Sequence, residues 1–393
     1  MIDLHKVKNL GQVYTPVSIV QLMFELSTNN NSILEPSAGE GVFTGFIKSN
    51  SNRDITSIEI DPDNKNDNKN DNFIIMDFFD YDESNKFSTI IGNPPYVLYK
   101  NINIDTLSKI ESKNYFRSFD KRTNLFLFFI RKSIEHLEEY GELILITPRE
   151  FIKATSSISL NNHLYKSGTI THWYEYGDKA LFKGYSSNVV VWRFEKNNFS
   201  RETKTINGMK KFNLLDGQLI FSNEENKIKF SDLFFVKVGA VSGMDDVFTN
   251  ENGNSEFVCS FTKKTGELKK MFFNIKNDYL SEYKDLLINR KIKKFNEDNW
   301  WQWGRGLYES NLDRIYVNCK TRDDLPFFTN KCKYYDGTIL AIFPKKEINI
   351  NKTIEILNNV DWDELGFKVG GRLCFSQKAL ENTYLPEIFN SLI

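Results

Sequence analysis

Apolar and polar positions in the first two hundred residues alternate between short strand-like runs and longer helix-like stretches. The short runs are rich in Ile, Leu, Val and Phe, as buried strands are. The predicted strands are 33–34, 55–60, 73–76, 87–91, 143–146, 169–176 and 187–194. Apolar residues at helical spacing occupy 42–47 and 124–139. Strands alternating with helices predict an α/β domain built on a parallel sheet.

Three local signals refine these elements. Pro16 suits the first turn of a helix that continues to Met23, and Gly141 predicts a glycine stop for the helix 124–139. The Asn-Lys-Asp segment at 63–72 is of low complexity. We expect a solvated loop there, in the place where a helix would normally join two parallel strands.

A change in composition after Phe194 divides the chain. The stretch up to Asn226 is polar and rich in Asn and Lys, and the strands beyond it have irregular spacing. With 393 residues, two domains are expected. We predict a first domain at 1–225 and a second, mixed α+β domain at 226–393.

Charge and cysteine content exclude several classes of protein. The 51 basic and 52 acidic side chains give a net charge of −1, so only local clusters can indicate a nucleic-acid partner. The N-terminus has no apolar signal segment, and the apolar run 125–130 is too short to cross a bilayer. Four dispersed cysteines without a CxxC pair argue against a disulfide framework or a metal site. We therefore expect a cytoplasmic protein without a membrane partner.

The segment Asn93-Pro94-Pro95-Tyr96 follows a predicted strand and can be a simple tight turn. It also suits methylation of adenine, because the exocyclic amine is a poor nucleophile whose lone pair is delocalised. Carbonyl oxygens of Asn93 and Pro94 can accept the two amine hydrogens and direct the lone pair at a methyl donor. Pro95 stiffens the turn, and Tyr96 can stack on the base.

The segment 35–41, Glu-Pro-Ser-Ala-Gly-Glu-Gly, joins the first strand to the next helix. A glycine-bearing turn is weak evidence alone, because any tight turn favours glycine. However, open α/β sheets bind ligands at the carboxyl ends of their strands. We expect Gly39 to let the main chain approach the methionine part of S-adenosylmethionine, and Glu35 to meet its ammonium group.

Acidic side chains end the next two predicted strands. Glu59 lies about twenty residues beyond the glycines, where a carboxylate can accept hydrogen bonds from ribose hydroxyls. Asp77-Phe78 suits a carboxylate that accepts from an adenine amine beside a ring that packs on the base. Each acid has an ordinary alternative as a solvated strand end. Their order at successive strand ends favours a cofactor site.

These motifs resemble the N6-adenine DNA methyltransferases of the gamma arrangement, the family of the TaqI modification methylase and the Eco57I-type methyltransferases. The resemblance covers most of the chain and is strongest from residue 11 to about residue 194. Its motifs are Gly-Gln-Val-Tyr-Thr-Pro at 11–16, the glycine turn at 35–41, Ile-Glu-Ile-Asp-Pro at 58–62, Asp-Phe at 77–78 and Asn-Pro-Pro-Tyr at 93–96. It implies a Rossmann-like class I methyltransferase sheet followed by a target-recognition domain.

The resemblance also implies roles for individual residues. Those expected at the cofactor are Thr15, Glu35, Pro36, Ser37, Ala38, Gly39, Glu59, Ile60, Asp77, Phe78, Asn93, Pro95 and Phe129. Phe182, in the segment 180–184, is expected to help hold a target adenine flipped out of the duplex. The segment 238–243 resembles the start of the target-recognition domain. Glu40 departs from the family's turn motif, which puts the contact at that position in doubt.

Basic and aromatic residues cluster in the second half of the chain, at 290–295 and 300–305. Charge runs are usually solvated faces and Trp is usually core, but both types also bind nucleic acid. The residues predicted to contact DNA are Arg290, Lys291, Lys293, Trp301 and Arg305, together with Tyr96 and Phe182 at the target base.

The sequence therefore predicts a site-specific DNA methyltransferase that acts on adenine N6 of double-stranded DNA with S-adenosylmethionine. We expect a monomer that serves a restriction–modification system with a separately encoded endonuclease, or that acts alone. Methylation at cytosine C5 is disfavoured, because no cysteine follows a proline. Alternatives are an N-methyltransferase for RNA or a protein glutamine, and a DNA-binding protein that has lost catalysis.

Overall fold

The computed structural model describes residues 15–64, 72–176, 189–222, 228–369 and 371–392. The chain divides into two compact units, Met1–Asn223 and Glu224–Ile393. Three features considered above lie outside the described residues: positions 11–14 of the N-terminal motif, most of the Asn-Lys-Asp segment, and the segment 180–184 with Phe182.

The described part of the first unit contains one ten-stranded sheet. Its strands are β1 (Ile33–Glu35), β2 (Ile55–Glu59), β3 (Phe73–Ile75), β4 (Phe87–Gly92), β5 (Leu137–Pro148), β6 (Gly168–Tyr176), β7 (Val189–Lys196), β8 (Glu202–Thr205), β9 (Gly208–Leu215) and β10 (Gln218–Ser222). Their order is β3-β2-β1-β4-β5-β7-β6-β8-β9-β10. Neighbours from β3 to β5 run parallel, and β7 runs antiparallel to β5 and β6. The expected Rossmann-like α/β sheet is confirmed.

The strand order reverses between β1 and β4. Strands β2 and β3 continue the sheet beyond β1, whereas β5 continues it beyond β4. Connections that leave in opposite directions open a crevice at the carboxyl ends of the two strands, where open α/β sheets bind ligands. The segments 35–41 and 93–96 lie at these two strand ends.

Five helices accompany the sheet: α1 (Val17–Glu25), α2 (Val42–Asn50), α3 (Ile104–Ser112), α4 (Leu125–Glu135) and α5 (Ile158–Ser167), counted over the described residues of this unit. Pro16 occupies the N-cap of α1, as its position in the sequence predicts. Successive strand residues point to opposite faces of the sheet, so Leu34 packs in the cluster that includes α4, and Ile33 packs with α1 and α2.

The predicted end of helix α4 was wrong. The helix ends at Glu135, and β5 begins at Leu137, so Gly141 lies within a strand and does not stop a helix. The main-chain N–H of Phe87 in β4 donates to the carbonyl of His136 at 2.8 Å, so the chain pairs with β4 directly after the helix. The site is tight for a side chain, because a Cβ at 141 would lie 3.0 Å from the carbonyl oxygen of Glu138 and 3.2 Å from that of Phe87.

The second unit is a mixed α+β structure. Its strands are β11 (Ile228–Lys229), β12 (Phe234–Val238), β13 (Ser255–Phe257), β14 (Lys269–Met271), β15 (Ile315–Asn318), β16 (Lys320–Thr321), β17 (Phe327–Phe328), β18 (Ile339–Pro344), β19 (Lys368–Val369), β20 (Arg372–Cys374) and β21 (Tyr384–Leu385). Its helices are α6 (Phe230–Leu233), α7 (Asp245–Phe248), α8 (Thr262–Thr265), α9 (Asp278–Glu282), α10 (Lys284–Ile288), α11 (Ile350–Asn358) and α12 (Gln377–Glu381). The largest sheet has the antiparallel order β12-β18-β15-β17.

The described residues contain neither a membrane-spanning helix nor a cluster of metal-binding side chains. The longest helix there has 11 residues, and none has the length and hydropathy that a bilayer crossing requires. No group of three or more His, Cys, Asp or Glu side chains in the same part of the chain has an arrangement that could hold a metal ion.

Candidate active site

The glycine turn between β1 and α2 is shaped by two left-handed residues. Gly39 has φ +54° and Gly41 has φ +78°, a region that side chains other than glycine rarely enter. The N–H of Ala38 donates to the carbonyl of Ile58 at 2.9 Å, which ties the turn to β2. A Cβ added at Gly39 would meet no atom within 4 Å. The main chain of Gly39 therefore faces open space.

The turn at 93–96 touches the glycine turn directly. The hydroxyl of Ser37 donates to the main-chain carbonyl of Asn93 at 3.0 Å. The side-chain amide of Asn93 donates through Nδ2 to the hydroxyl of Thr15, also at 3.0 Å. A Cβ on Gly92 would lie 3.6 Å from the Pro36 ring. The structure thus brings three of the sequence motifs to one point.

Tyr96 is nearly buried, so little of its ring is exposed for a base to stack on. Its side chain is 9% exposed, and its hydroxyl donates to the carbonyl of Ile146 in β5 at 2.9 Å. The edge of the ring meets Phe126 of α4 at a centroid distance of 5.8 Å. Tyr96 therefore anchors the turn to the sheet, and stacking on a base remains a prediction.

Glu59 lies under the glycine turn at the end of β2. One carboxylate oxygen accepts from the N–H of Gly39 at 2.7 Å and the other from the N–H of Asp61 at 2.8 Å. Each oxygen of an ionised carboxylate can accept a second hydrogen bond, so the group retains capacity for hydroxyls. The neighbouring Ile60 is 46% exposed at the same strand end.

The pairing of β2 with β3 sets the register between Glu59 and Asp77. Glu59 pairs with Ile75, so Asp77 follows at the adjacent strand end. Asp77 caps the next turn by accepting from the N–H of Phe79 at 2.9 Å. The buried rings of Phe78 and Phe129 pack against each other with their centroids 5.1 Å apart.

Glu35 differs from the other acids because it has no exposed surface. Its Oε2 accepts hydrogen bonds from the hydroxyls of Thr44 and Ser57, and its Oε1 has no hydrogen-bond partner among the described residues. Burial raises the pKa of Glu35 to about 8. A buried acceptor without a donor is costly, so Oε1 suits a ligand that supplies one, such as an ammonium group.

We predict that Glu35 makes the protein less stable as pH rises. Because its folded-state pKa of about 8 exceeds the ordinary value of 4.5, its contribution is fully present below pH 4.5 and is lost as pH rises through 8. The free energy of unfolding of the wild type, measured in urea, should fall by on the order of a few kcal/mol between about pH 5 and about pH 9, and Glu35→Gln should remove this fall. Glu40→Gln, which changes an exposed neighbour, should keep the wild-type pH dependence. If Glu35→Gln shows the same fall as the wild type, Glu35 is not the group responsible.

The residues predicted to contact DNA from the second unit fall into different environments. Lys291, Lys293 and Arg305 are exposed, although Arg305 also donates to the carbonyl of Gly239 at 3.1 Å, and Trp301 is partly buried. Arg290 is 6% exposed and donates to four main-chain carbonyls, those of Leu287, Ser242, Trp300 and Gln302. The donors of Arg290 are therefore used inside the unit, which favours a structural role over the DNA contact predicted for it.

Sequence reasoning missed three side chains around Asp77. Thr106 and Lys109 of α3 both donate to its Oδ2, at 2.7 and 3.2 Å. Lys132 of α4 has no exposed surface, donates to the carbonyl of Tyr81 at 2.8 Å and lies 5.2 Å from the centre of the Phe78 ring. The signal for Lys132 was a lysine at helical spacing from Phe128 and Phe129, on the apolar face of the same helix. Thr106 and Lys109 left no comparable signal.

The sheet order, with strand ends that converge at its switch point, is that of the class I S-adenosylmethionine-dependent methyltransferase fold, and the fold together with the methylase family match implies S-adenosylmethionine as the cofactor. A solved structure supports this fold. That of the Type IIL restriction-modification enzyme MmeI in complex with DNA aligns with 97% of this chain and 69% of its own chain, with a TM-score of 0.65 and 11% identity.

Residues 16–182 match the model of the family described as Eco57I restriction-modification methylase. The Type II methyltransferase M.HindII of Haemophilus influenzae is 27% identical across 90% of this chain and 83% of its own length. M.HincII, also of Haemophilus influenzae, is 34% identical across 49% of this chain and 39% of its own. The resemblance inferred from the motifs is confirmed at the level of this family.

Proposed function

We propose that this chain transfers a methyl group from S-adenosylmethionine to N6 of a flipped adenine in double-stranded DNA. The observation that carries the proposal is the position of Asn93. Its main-chain carbonyl is held by Ser37 of the glycine turn, and its Nδ2 is held by Thr15. These two bonds fix the amide of Asn93 beside the turn that faces open space at Gly39.

The chemistry follows from this fixed amide. Because Nδ2 is directed at Thr15, the carbonyl oxygen, on the opposite side of Cγ in the same amide plane, points away from Thr15 and accepts from the adenine amine. A second acceptor on the main chain of Pro94 turns the nitrogen lone pair toward the methyl donor. When bound, the cofactor supplies an activated methyl group. The protein's part is positioning and electrostatic stabilisation, and solvent takes the amine proton.

The cofactor would be held along the strand ends. Gly39 presents main chain and Glu35 a buried acceptor oxygen. Glu59 has acceptor capacity for ribose hydroxyls, and Phe78 with Phe129 forms an aromatic wall. The remaining proposed contacts are Thr15, Pro36, Ser37, Ala38, Ile60, Asp77, Asn93 and Pro95.

DNA is the proposed partner of both units. Relatives in this family are named as Type II methyltransferases, and the MmeI structure is a complex with DNA. We assign phosphate or base contacts to Lys291, Lys293, Trp301 and Arg305, and target-base contacts to Tyr96 and Phe182. Flipping costs a few kcal/mol, which contacts to the flipped base partly offset. A separately encoded endonuclease would then act on unmodified DNA.

Transfer of a labelled methyl group tests this function directly. The protein is incubated with labelled S-adenosylmethionine and, in separate reactions, duplex DNA, tRNA, rRNA and a release factor. We expect label in DNA alone, and sequencing that detects modified bases should place it at N6 of adenine within a fixed flanking sequence. Label in RNA or protein supports the first alternative. Cofactor binding without transfer to any DNA supports the inactive binding protein.

We predict that Tyr96→Ala weakens capture of the target base more than binding of the cofactor. Stacking of a base on an aromatic ring is worth about 1–3 kcal/mol, so binding to a duplex with a mismatched target adenine should fall roughly tenfold. Tyr96→Phe keeps the ring and loses only the hydrogen bond to Ile146, so it should capture the base nearly as wild type does. Unchanged binding by Tyr96→Ala counts against a stacking role.

A further inference from the structure

Two side chains of helix α3 donate hydrogen bonds to the carboxylate of Asp77. Thr106 donates to Oδ2 at 2.7 Å, and the ammonium of Lys109 lies 3.2 Å from the same oxygen. Thr106 is 6% exposed, and the side chain of Asp77 is 8% exposed. The Thr106 contact is enclosed, whereas Lys109 is 31% exposed and adds its charge from the rim, so the rotation of the carboxylate is restricted mainly by Thr106.

The two oxygens of Asp77 are therefore not equivalent. Oδ2 accepts from Thr106 and Lys109, which fills its two lone-pair sites. Oδ1 accepts from the N–H of Phe79 and retains one site. A further donor, such as an exocyclic amine, fits Oδ1 only if the carboxylate keeps this orientation. The orientation is set by α3.

The turn that carries Asp77 is held from a second side by α4. Lys132 donates to the carbonyls of Phe79 at 3.3 Å and Tyr81 at 2.8 Å. Lys109 also pairs with Asp80, the last residue of the same turn. The main chain of the turn is thus fixed by Lys132, whereas Thr106 and Lys109 act on the carboxylate itself.

We propose that Thr106 and Lys109 are positioning residues that make the cofactor site selective for a 6-amino purine. The proposal rests on the proposed function, in which Asp77 accepts from the cofactor's adenine amine. Helix α3 follows the Asn93–Tyr96 turn in the chain, so the segment that leaves the catalytic turn also fixes the carboxylate that recognises the cofactor's base.

The test compares two ligands that differ at one group. S-adenosylhomocysteine carries the amine, and S-inosylhomocysteine carries an oxygen in its place. Calorimetry with the full chain should give the wild type at least ~10-fold preference for the amine, since a hydrogen bond to a charged group is lost with the analogue. Thr106→Val, which keeps the side-chain shape, should lose most of this preference, and Thr106→Ser should restore it.

A purely structural role predicts a different result. It would weaken both ligands equally and leave their ratio unchanged, which overturns the proposal. Ser108→Ala is the matched control, since Ser108 lies on the same helix and its hydroxyl donates to the carbonyl of Ile104, away from Asp77. A wild type that binds both ligands equally also overturns the proposal, while methyl transfer to DNA then still supports the function. A wild type that binds neither ligand and transfers no methyl group rejects the proposed function itself.

Discussion

Asn93→Ala is expected to lower the turnover of DNA methylation by about 10³-fold while leaving cofactor affinity within a few-fold of wild type. The removed carbonyl accepts from the target amine as the nitrogen develops positive charge, and loss of one such positioned group costs ~10²- to 10³-fold in turnover. The main-chain carbonyl that Ser37 binds is retained in the variant. The glycine turn therefore keeps its contact with the catalytic turn.

Single-turnover methylation measures this effect, with calorimetry for the cofactor and a thermal melt for folding. Asn101→Ala is the matched control, because Asn101 is exposed in the loop that follows the same turn. It should methylate DNA at the wild-type rate. Turnover by Asn93→Ala that stays near wild type would show that another group accepts the amine hydrogens.

The close approach of segments 35–41 and 93–96 could be predicted from the sequence, because it depends only on the topology of the sheet. Parallel strands that are neighbours in a sheet end at the same edge, so residues that follow β1 and β4 must lie close together. The hydrogen bond from Ser37 to Asn93 is a consequence of that rule. The succession from Glu59 to Asp77 follows in the same way from the pairing of β2 with β3.

The direction and partners of the side chains could not be predicted in this way. Glu35 follows the motif, yet its Oε2 is held by Thr44 and Ser57, which approach from α2 and β2. Thr106 lies 29 residues beyond Asp77 on a helix whose sequence carries no motif. Such contacts depend on how helices pack against the sheet, and the pattern of apolar residues specifies a face without specifying individual partners.

Arg290 shows the same limit from the opposite direction. The sequence Arg-Lys-Ile-Lys-Lys predicts a phosphate-binding surface, because charge runs are normally solvated. Arg290, the first residue of this run, is instead buried and donates to the carbonyls of Trp300 and Ser242, which are 10 and 48 residues away in sequence. The residues that follow it, 291–294, remain exposed, so the run divides into a buried arginine that binds main-chain carbonyls and an exposed basic surface.

This division predicts that Arg290→Ala destabilises the second unit, whereas Lys291→Ala affects DNA binding. Burial lowers the pKa of Arg290 to about 10, so the side chain remains charged at neutral pH. Its removal leaves buried carbonyls without donors, each at a cost of about 1–3 kcal/mol. We expect urea unfolding to show a loss on the order of 3 kcal/mol or more for Arg290→Ala, and about 0.5 kcal/mol or less for Lys291→Ala.

Salt dependence of DNA binding separates the two roles. A lysine that neutralises one phosphate contributes about one unit to the slope of log affinity against log salt. Lys291→Ala should reduce the slope by about that amount at unchanged stability. Arg290→Lys, which keeps the charge but not the forked set of donors, should leave the slope unchanged and lose stability. If Arg290→Lys is as stable as the wild type and reduces the salt slope of DNA binding, Arg290 contacts DNA. A side chain that only binds main-chain carbonyls would leave that slope unchanged.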